Sequence, residues 1–351
     1  MTEELVFDQE EVRVHGFELY EGTQLDVRAV ISGMPKNVKD GFLLEEVAWS
    51  RFGHAYGSGH DVPERLTRLR SPDAETAGLA LDLLWGSVVH QGTVGSVAPL
   101  TVPFLLRIAA DPSAYGRAGV LGLAAAAARR AHWGYGTRST FLRVATQELL
   151  CDCGGYLMNW SIEASRNAVT ADVDLLLPLL DDADSDVRTS TCYTLATASG
   201  EAGRIIGALR ARLIVERTPR VSASLVLAVA ELGREHNVAG TAVWARALWA
   251  DPTQPADVRV AAALAWLCLV NDPVPDDLRA TLDVLVTDGL ADVLDDVPWI
   301  AHVDDNGLDR TLDQMLNNAL PGVLCDDPWA RLRLCVAVPT HQRRDARPPA
   351  R

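Results

Sequence analysis

The sequence predicts an all-α fold: a right-handed α-solenoid of about seven stacked helix pairs behind a small N-terminal cap. Three observations predict it. One pattern recurs along the chain, an apolar run with leucine pairs, an Asp/Pro turn, then a second helix opening on Val and Arg. Apolar residues inside a copy fall at helical spacing, as at Val258, Ala262, Ala265 and Leu269. Finally, 48% of the 351 residues are hydrophobic and 23% charged, enough for a large buried core and too apolar for a disordered chain.

Taken in order, residues 1–47 read as the cap. Val12 and Val14 alternate with polar neighbours, and Phe17 and Leu19 follow between Gly16 and Gly22, which suggests a hairpin or a short irregular segment over residues 5–33. Residues 48–338 form the solenoid. Its copies run LTRLRSPDAETAGLALDLL from Leu66 and LLRIAADPSAYGRAGVLGLAAAA from Leu105. LLLPLLDDADSDVRTSTCYTLA follows from Leu175, ALRARLIVERTPRVSASLVLAVAEL from Ala208 and ARALWADPTQPADVRVAAALAWL from Ala245, and a degraded VLCDDPWARLRLCVAV begins at Val323. Pro72 and Pro112 lie 40 residues apart, and Pro219 and Pro252 lie 33 apart. Asp184 and Asp186 stand where a helix start wants acceptors and negative charge. One helix pair cannot bury its own apolar face, so the pairs must stack. Residues 132–162, rich in Gly and aromatics, read as a repeat elaborated by long loops. Residues 339–351, rich in Arg and Pro, read as a disordered tail.

The D-V-R turn after a leucine-rich first helix, at Asp186–Arg188 and Asp257–Arg259, resembles that of HEAT repeats. The strict match covers residues 175–196 and 245–267, and looser copies extend it over 62–338. A second set of motifs, HAYG from His54, DVP from Asp61, HQGTV from His90 and VPFL from Val102, resembles a group of HEAT-repeat proteins from high-GC bacteria. That resemblance implies the solenoid and implies no catalytic residue.

The same stretch gathers the candidate site. His54, Tyr56, His60, Asp61, Trp85, His90 and Gln91 come from a glycine loop and a helix end, with Gly57, Gly59 and Gly92 permitting bends or close approach and Gly86 leaving a hollow. One reading makes them a recognition pocket at the N-terminal end of the solenoid. The other has them hydrogen-bond the cap onto the first repeat. Neither a metal nor a cofactor is expected. His54 and His60 are six apart with His90 thirty further on, and Cys151 and Cys153 stand alone, without paired zinc spacing or H-E-x-x-H. HEAT-type iron hydroxylases use repeated His-Glu pairs, and only the reversed Glu235-His236 occurs. Nucleophile elbow, P-loop, Rossmann fingerprint and kinase set are all missing.

Net charge is −15, and of 32 basic residues only Lys36 and Lys39 are lysines. Residues 272–327 hold 14 aspartates, no glutamate and two arginines. That stretch reads as a solvated helical face or as a docking surface for a basic partner. Nucleic acid is therefore not the expected ligand. The six scattered cysteines form no disulfide framework, and neither a secretory signal nor a membrane span is legible, so a cytoplasmic location is expected. The favoured function is a non-enzymatic binding module whose concave groove holds a protein or peptide, an immunity-like role being one form of it. The alternatives are HEAT-like enzymes: a DNA glycosylase type, which needs arginines gathered on one face, or a small-molecule lyase in the His54/His60/His90 hollow.

Overall fold

The computed structural model describes residues 26–130, 136–145, 150–152, 154–303 and 307–317. Two short helices, α1 (Val27–Gly33) and α2 (Lys36–Asp40), open the described chain. Hairpins β1–β2 (Gly53–His54 with Gly57–Ser58) and β3–β4 (Val89–His90 with Thr93–Val94) flank the first helix pair, α3 (Val62–Leu69) and α4 (Ala74–Val88). Next α5 (Ala98–Ala110) pairs with α6 (Arg117–Ala127). α7 (Met158–Ala171) and the short α8 (Val173–Leu176) lead through a 3-10 turn, Leu177–Asp181, to α9 (Ser185–Leu195). α10 (Ala202–Val215) pairs with α11 (Pro219–Glu235), and α12 (Thr241–Ala250) with α13 (Ala256–Leu269). The second helices stack in the order α4, α6, α9, α11, α13, while the first helices form an outer row. This is an all-α solenoid, since each pair covers the apolar face its neighbour cannot bury alone.

The Arg of the repeat holds its turn together. Arg117 donates to Ala109 O at 2.8 Å, Arg188 to Asp182 O at 2.8 Å and Arg259 to Trp249 O at 3.1 Å, each closing the carbonyl end of its preceding helix or turn. Two of these arginines also reach the next repeat: Arg117 pairs with Asp182 at 2.7 Å, and Arg188 with Glu216 at 3.0 Å. Glu216 is a node. It also accepts from Arg212 at 2.8 Å and from the N–H groups of Arg217 and Thr218, each at 2.9 Å. Burial opposes its charge, but the Thr218 N–H and the two guanidinium groups prevail and hold the carboxyl at about 2, below the usual 4.5. At the start of α9, Asp184 accepts from Asp186 N at 2.8 Å, as the sequence anticipates.

Two of the inner helices, α11 and α13, are buried on every side along most of their length. Each residue from Val221 to Gly233 of α11 and from Val260 to Cys268 of α13 is buried. A helix of that kind needs cover all round. The chain supplies it by folding back. Helices α14 (Asp276–Leu285), α15 (Asp288–Asp295), α16 (Pro298–Ala301) and α17 (Gly307–Asn317) do not extend the row as further pairs: α15 packs on α11 and α13, α16 on α9, and α17 on α13. Leu294, Val297, Trp299, Ile300 and Leu308 are fully buried there. The insertion after α6 joins the same layer. Arg138 donates to Leu267 O and Val270 O at 2.8 and 2.6 Å, and Gly136 N donates to Gln314 Oε1 at 2.7 Å.

Two expectations change accordingly. About seven pairs were expected, and five pairs form the described row. The open concave groove expected to take a partner is filled over α9, α11 and α13 by the chain itself. The degraded copy at 323–338, the tail and Val12 to Leu19 lie outside the described residues. The cap is helical where it is described: α1 packs along α7 and α2 on α5, and the short strands fall later, beside the first pair. Tyr156 Oη accepts from Val27 N at 3.1 Å, while Asp172 binds Lys39 at 3.2 Å and Arg107 at 2.9 Å. Every described aspartate from Asp272 to Asp313 except Asp295 is exposed. Among the described residues no helix is long and apolar enough to cross a membrane.

Leu195 of α9 is fully buried, so Leu195→Ala should cost about 2–5 kcal/mol in urea unfolding, the range for a core cavity. Removing the charge of Glu216 strands Arg188, so Glu216→Gln should cost about 3 kcal/mol at neutral pH. Because the folded carboxyl ionises below its unfolded value, this contribution is complete above pH 4.5 and is lost as pH falls through about 2. Urea midpoints of wild type and Glu216→Gln should therefore converge in acid.

Candidate functional site

The two polar motifs of the N-terminal repeat meet, as their sequence suggests, through the hairpins. Gly53 N donates to Ser96 Oγ at 2.8 Å and Val97 N to Gly53 O at 3.0 Å. Gly95 permits the approach, since a β-carbon there would sit 2.9 Å from Gly53 O. Gln91 and Gly92, with φ of +46° and +83°, form the two-residue turn of β3–β4, a type I′ geometry that matches the twist of the strands.

Within this frame the candidate residues part company. The His54 ring is nearly sealed, its side chain 3% exposed. Its Nδ1 accepts from Tyr56 N at 3.1 Å, so Nε2 carries the proton and donates to Asp61 Oδ1 at 2.9 Å. The other oxygen of Asp61 pairs with Arg65, which also donates to Ser87 Oγ at 2.6 Å and Leu83 O at 3.0 Å. Burial opposes the Asp61 charge, yet the His54 hydrogen bond and the Arg65 guanidinium hold its carboxyl below the usual range. The relay stitches the glycine loop to α3 and α4 and leaves His54 no lone pair for proton transfer.

His60 is exposed, its Nδ1 3.2 Å from Ser58 O, and it does not converge on the other histidines. Trp85 is half-buried against Gly122 of α6, away from the loop. Gln91 is exposed and serves the turn. What faces outward together is Tyr56 and His90. Tyr56 is 71% exposed and meets the His90 ring edge-on at 5.3 Å between centroids. His90 Nδ1 donates to Gly86 O at 2.9 Å, while Tyr56 Oη stands 3.5 Å from that nitrogen. The hollow at Gly86 is open surface, with nothing within 4 Å of where its β-carbon would be. Leu79 and Leu83, 55% and 42% exposed, continue the stripe along α4.

Sequence reasoning missed a second cluster, on the inner row. Arg129, just beyond α6, donates to Glu231 of α11 at 3.2 Å and to Tyr193 O of α9 at 2.8 Å. Its guanidinium lies 3.6 Å over the Tyr193 ring, which meets Trp299 of α16 edge-on at 4.8 Å and stacks on His302 at 5.6 Å. Trp299 Nε1 donates to Glu231 Oε2 at 2.5 Å. Burial pushes the Glu231 carboxyl up against the opposing pull of Arg129 and Trp299, and burial likewise raises the Tyr193 phenol and lowers the His302 imidazole. Among the described residues Arg129 Nε and Tyr193 Oη, both buried, have no hydrogen-bond partner. One signal was available: Glu231 is a lone carboxylate inside the apolar run from Val221 to Gly233, and a buried charge implies a partner. Arg65 and Arg129, which a DNA-binding reading would gather on one face, both turn inward to carboxylates.

No family model matches the chain, and no curated protein matches it. Among solved structures, the chain is similar to a designed armadillo repeat protein in complex with the peptide (KR)4, at 18% identity and a TM-score of 0.36 over 72% of this chain and 98% of that one. At that score the likeness carries no argument for this chain's ligand.

The two faces of the N-terminal site should separate in unfolding experiments. His54→Ala removes a buried ring bonded at both nitrogens and should cost about 1–3 kcal/mol. Tyr56→Phe removes only a long, exposed contact and should leave the urea midpoint at the wild-type value.

Proposed function

We propose that this chain is a non-enzymatic binding module of the HEAT-repeat type, which recognises a protein or peptide through the free end of its first helix pair. One observation carries the reading: Leu79 and Leu83 lie exposed on α4, and beyond its end Tyr56 of the β1–β2 turn stands exposed against the half-buried His90 of β3, next to a glycine that leaves the surface open. Two leucines held outward on a helix, with an aromatic ring presented by the adjoining hairpin turn, suit a contact anchor. The chemistry nearby is spent on structure, since His54 and Asp61 are bonded to their neighbours. The net charge of −15 and the exposed aspartates favour a basic partner over nucleic acid.

The test is site-specific photocrosslinking in cells that express the chain natively. A crosslinker at Leu79 should capture a discrete partner, and one at Ile214, which is 76% exposed at a distant surface, should not. Adding Tyr56→Ala and Leu83→Arg should abolish the Leu79 capture without lowering the melting temperature. Capture that survives both changes would overturn the assignment of this surface.

A further inference from the structure

The cluster on the inner row points to a second binding surface, independent of the first. The turn carrying Val297, Trp299 and Ile300 lies on α9 and α11 as a bound peptide would, its indole against Tyr193 and its Nε1–H on Glu231. Trp299 is fully buried, and its indole N–H reaches a polar partner, Glu231, across the interface. The fit is incomplete. Arg129 Nε and Tyr193 Oη are both donors, both buried under this turn, and both without an acceptor among the described residues. A buried donor left unmade is costly, so an occupant that brought an acceptor would bind better than the present one. The segment carrying the turn is lightly anchored: Asp288 and Asp292 repel one another a helical turn apart on its exposed side, Leu294 is the one buried residue of α15, and Asp296 meets Arg220 of α11 only at 3.8 Å.

We propose that the face formed by Arg129, Tyr193 and Glu231 is a peptide-binding site, and that residues 297–303 occupy it as an intramolecular stand-in for the partner. The partner it fits is a short segment with a tryptophan anchor, whose indole N–H meets Glu231, and with a carboxylate or carbonyl oxygen beside it to accept from Arg129 Nε and Tyr193 Oη. The partner binds by displacing α15 and α16, so its apparent affinity is its intrinsic affinity multiplied by the fraction of chains in which the turn is unseated.

The probe is a fluorescein-labelled peptide, DDVPWIAHV, the chain's own residues 295–303. Fluorescence anisotropy with the full chain should show weak binding to wild type and at least tenfold tighter binding to Trp299→Ala, whose own turn no longer competes. Adding Glu231→Gln should weaken the peptide again, and a peptide with alanine for tryptophan should not bind. A folded Trp299→Ala chain that binds the peptide no better than wild type overturns the proposal. Hydrogen exchange of the wild type decides independently of any variant. Amides of 288–303 should exchange at least tenfold faster than those of α11, and equal rates would mean that the face opens only on global unfolding, which also overturns it.

Discussion

The structure depends on one constraint, the need to cover inner helices that are apolar around their whole circumference. In an open solenoid the helices lining the concave side keep a polar strip for water or a ligand. Here α11 and α13 have none, and uncovered they would expose a contiguous apolar band. The outer helices cover one side, neighbouring inner helices cover two more, and the fold-back of α14 to α17 with the insertion at 136–145 covers the last. The C-terminal helices therefore supply the cover that the inner row needs when no other segment lies on it, and the same packing buries Arg129 and Glu231.

Burying that charge pair shapes what lies above it. An arginine and a glutamate leave water at a cost that falls with each of their hydrogen-bonding groups that finds a partner. Glu231 Oε2 accepts from Arg129 and from the indole of Trp299, which explains why tryptophan stands at the contact point of α16, while Oε1 meets the Arg129 guanidinium at 3.1 Å as an ion pair only. Arg129 spends its other groups on Tyr193 O and on the face of the tyrosine ring. Three inner helices and the covering turn are thus registered against one another by one buried polar cluster.

The repeat arginines do comparable work at the outer edge. Arg117 and Arg188 each tie a turn carbonyl of their own repeat to a carboxylate of the next, so the stacking distance is set by a hydrogen-bonded strut as well as by side-chain volume. At the first described helix pair the strut is replaced by the His54, Asp61, Arg65 and Ser87 relay, which fastens the glycine loop onto that pair. Both devices consume polar groups that look reactive when read singly.

How much was legible follows from range. The Asp/Pro turns, the Asp184 cap, the D-V-R arginines and the apolar spacing of the second helices act over a few residues, and the sequence by itself determined them, together with the stacked helix pairs they imply. It also brought the motifs around His54 and His90 together, since one helix pair separates them. The tertiary structure alone decided which of those residues were buried: His54 inward on Asp61, Tyr56 outward over His90. It alone decided that the groove would be closed. Glu231 could be seen to need a partner, but Arg129 lies 102 residues away and Trp299 lies 68 away. Nothing local selects them, because a contact at that separation exists only once the repeats have stacked and set the distance between their inner helices.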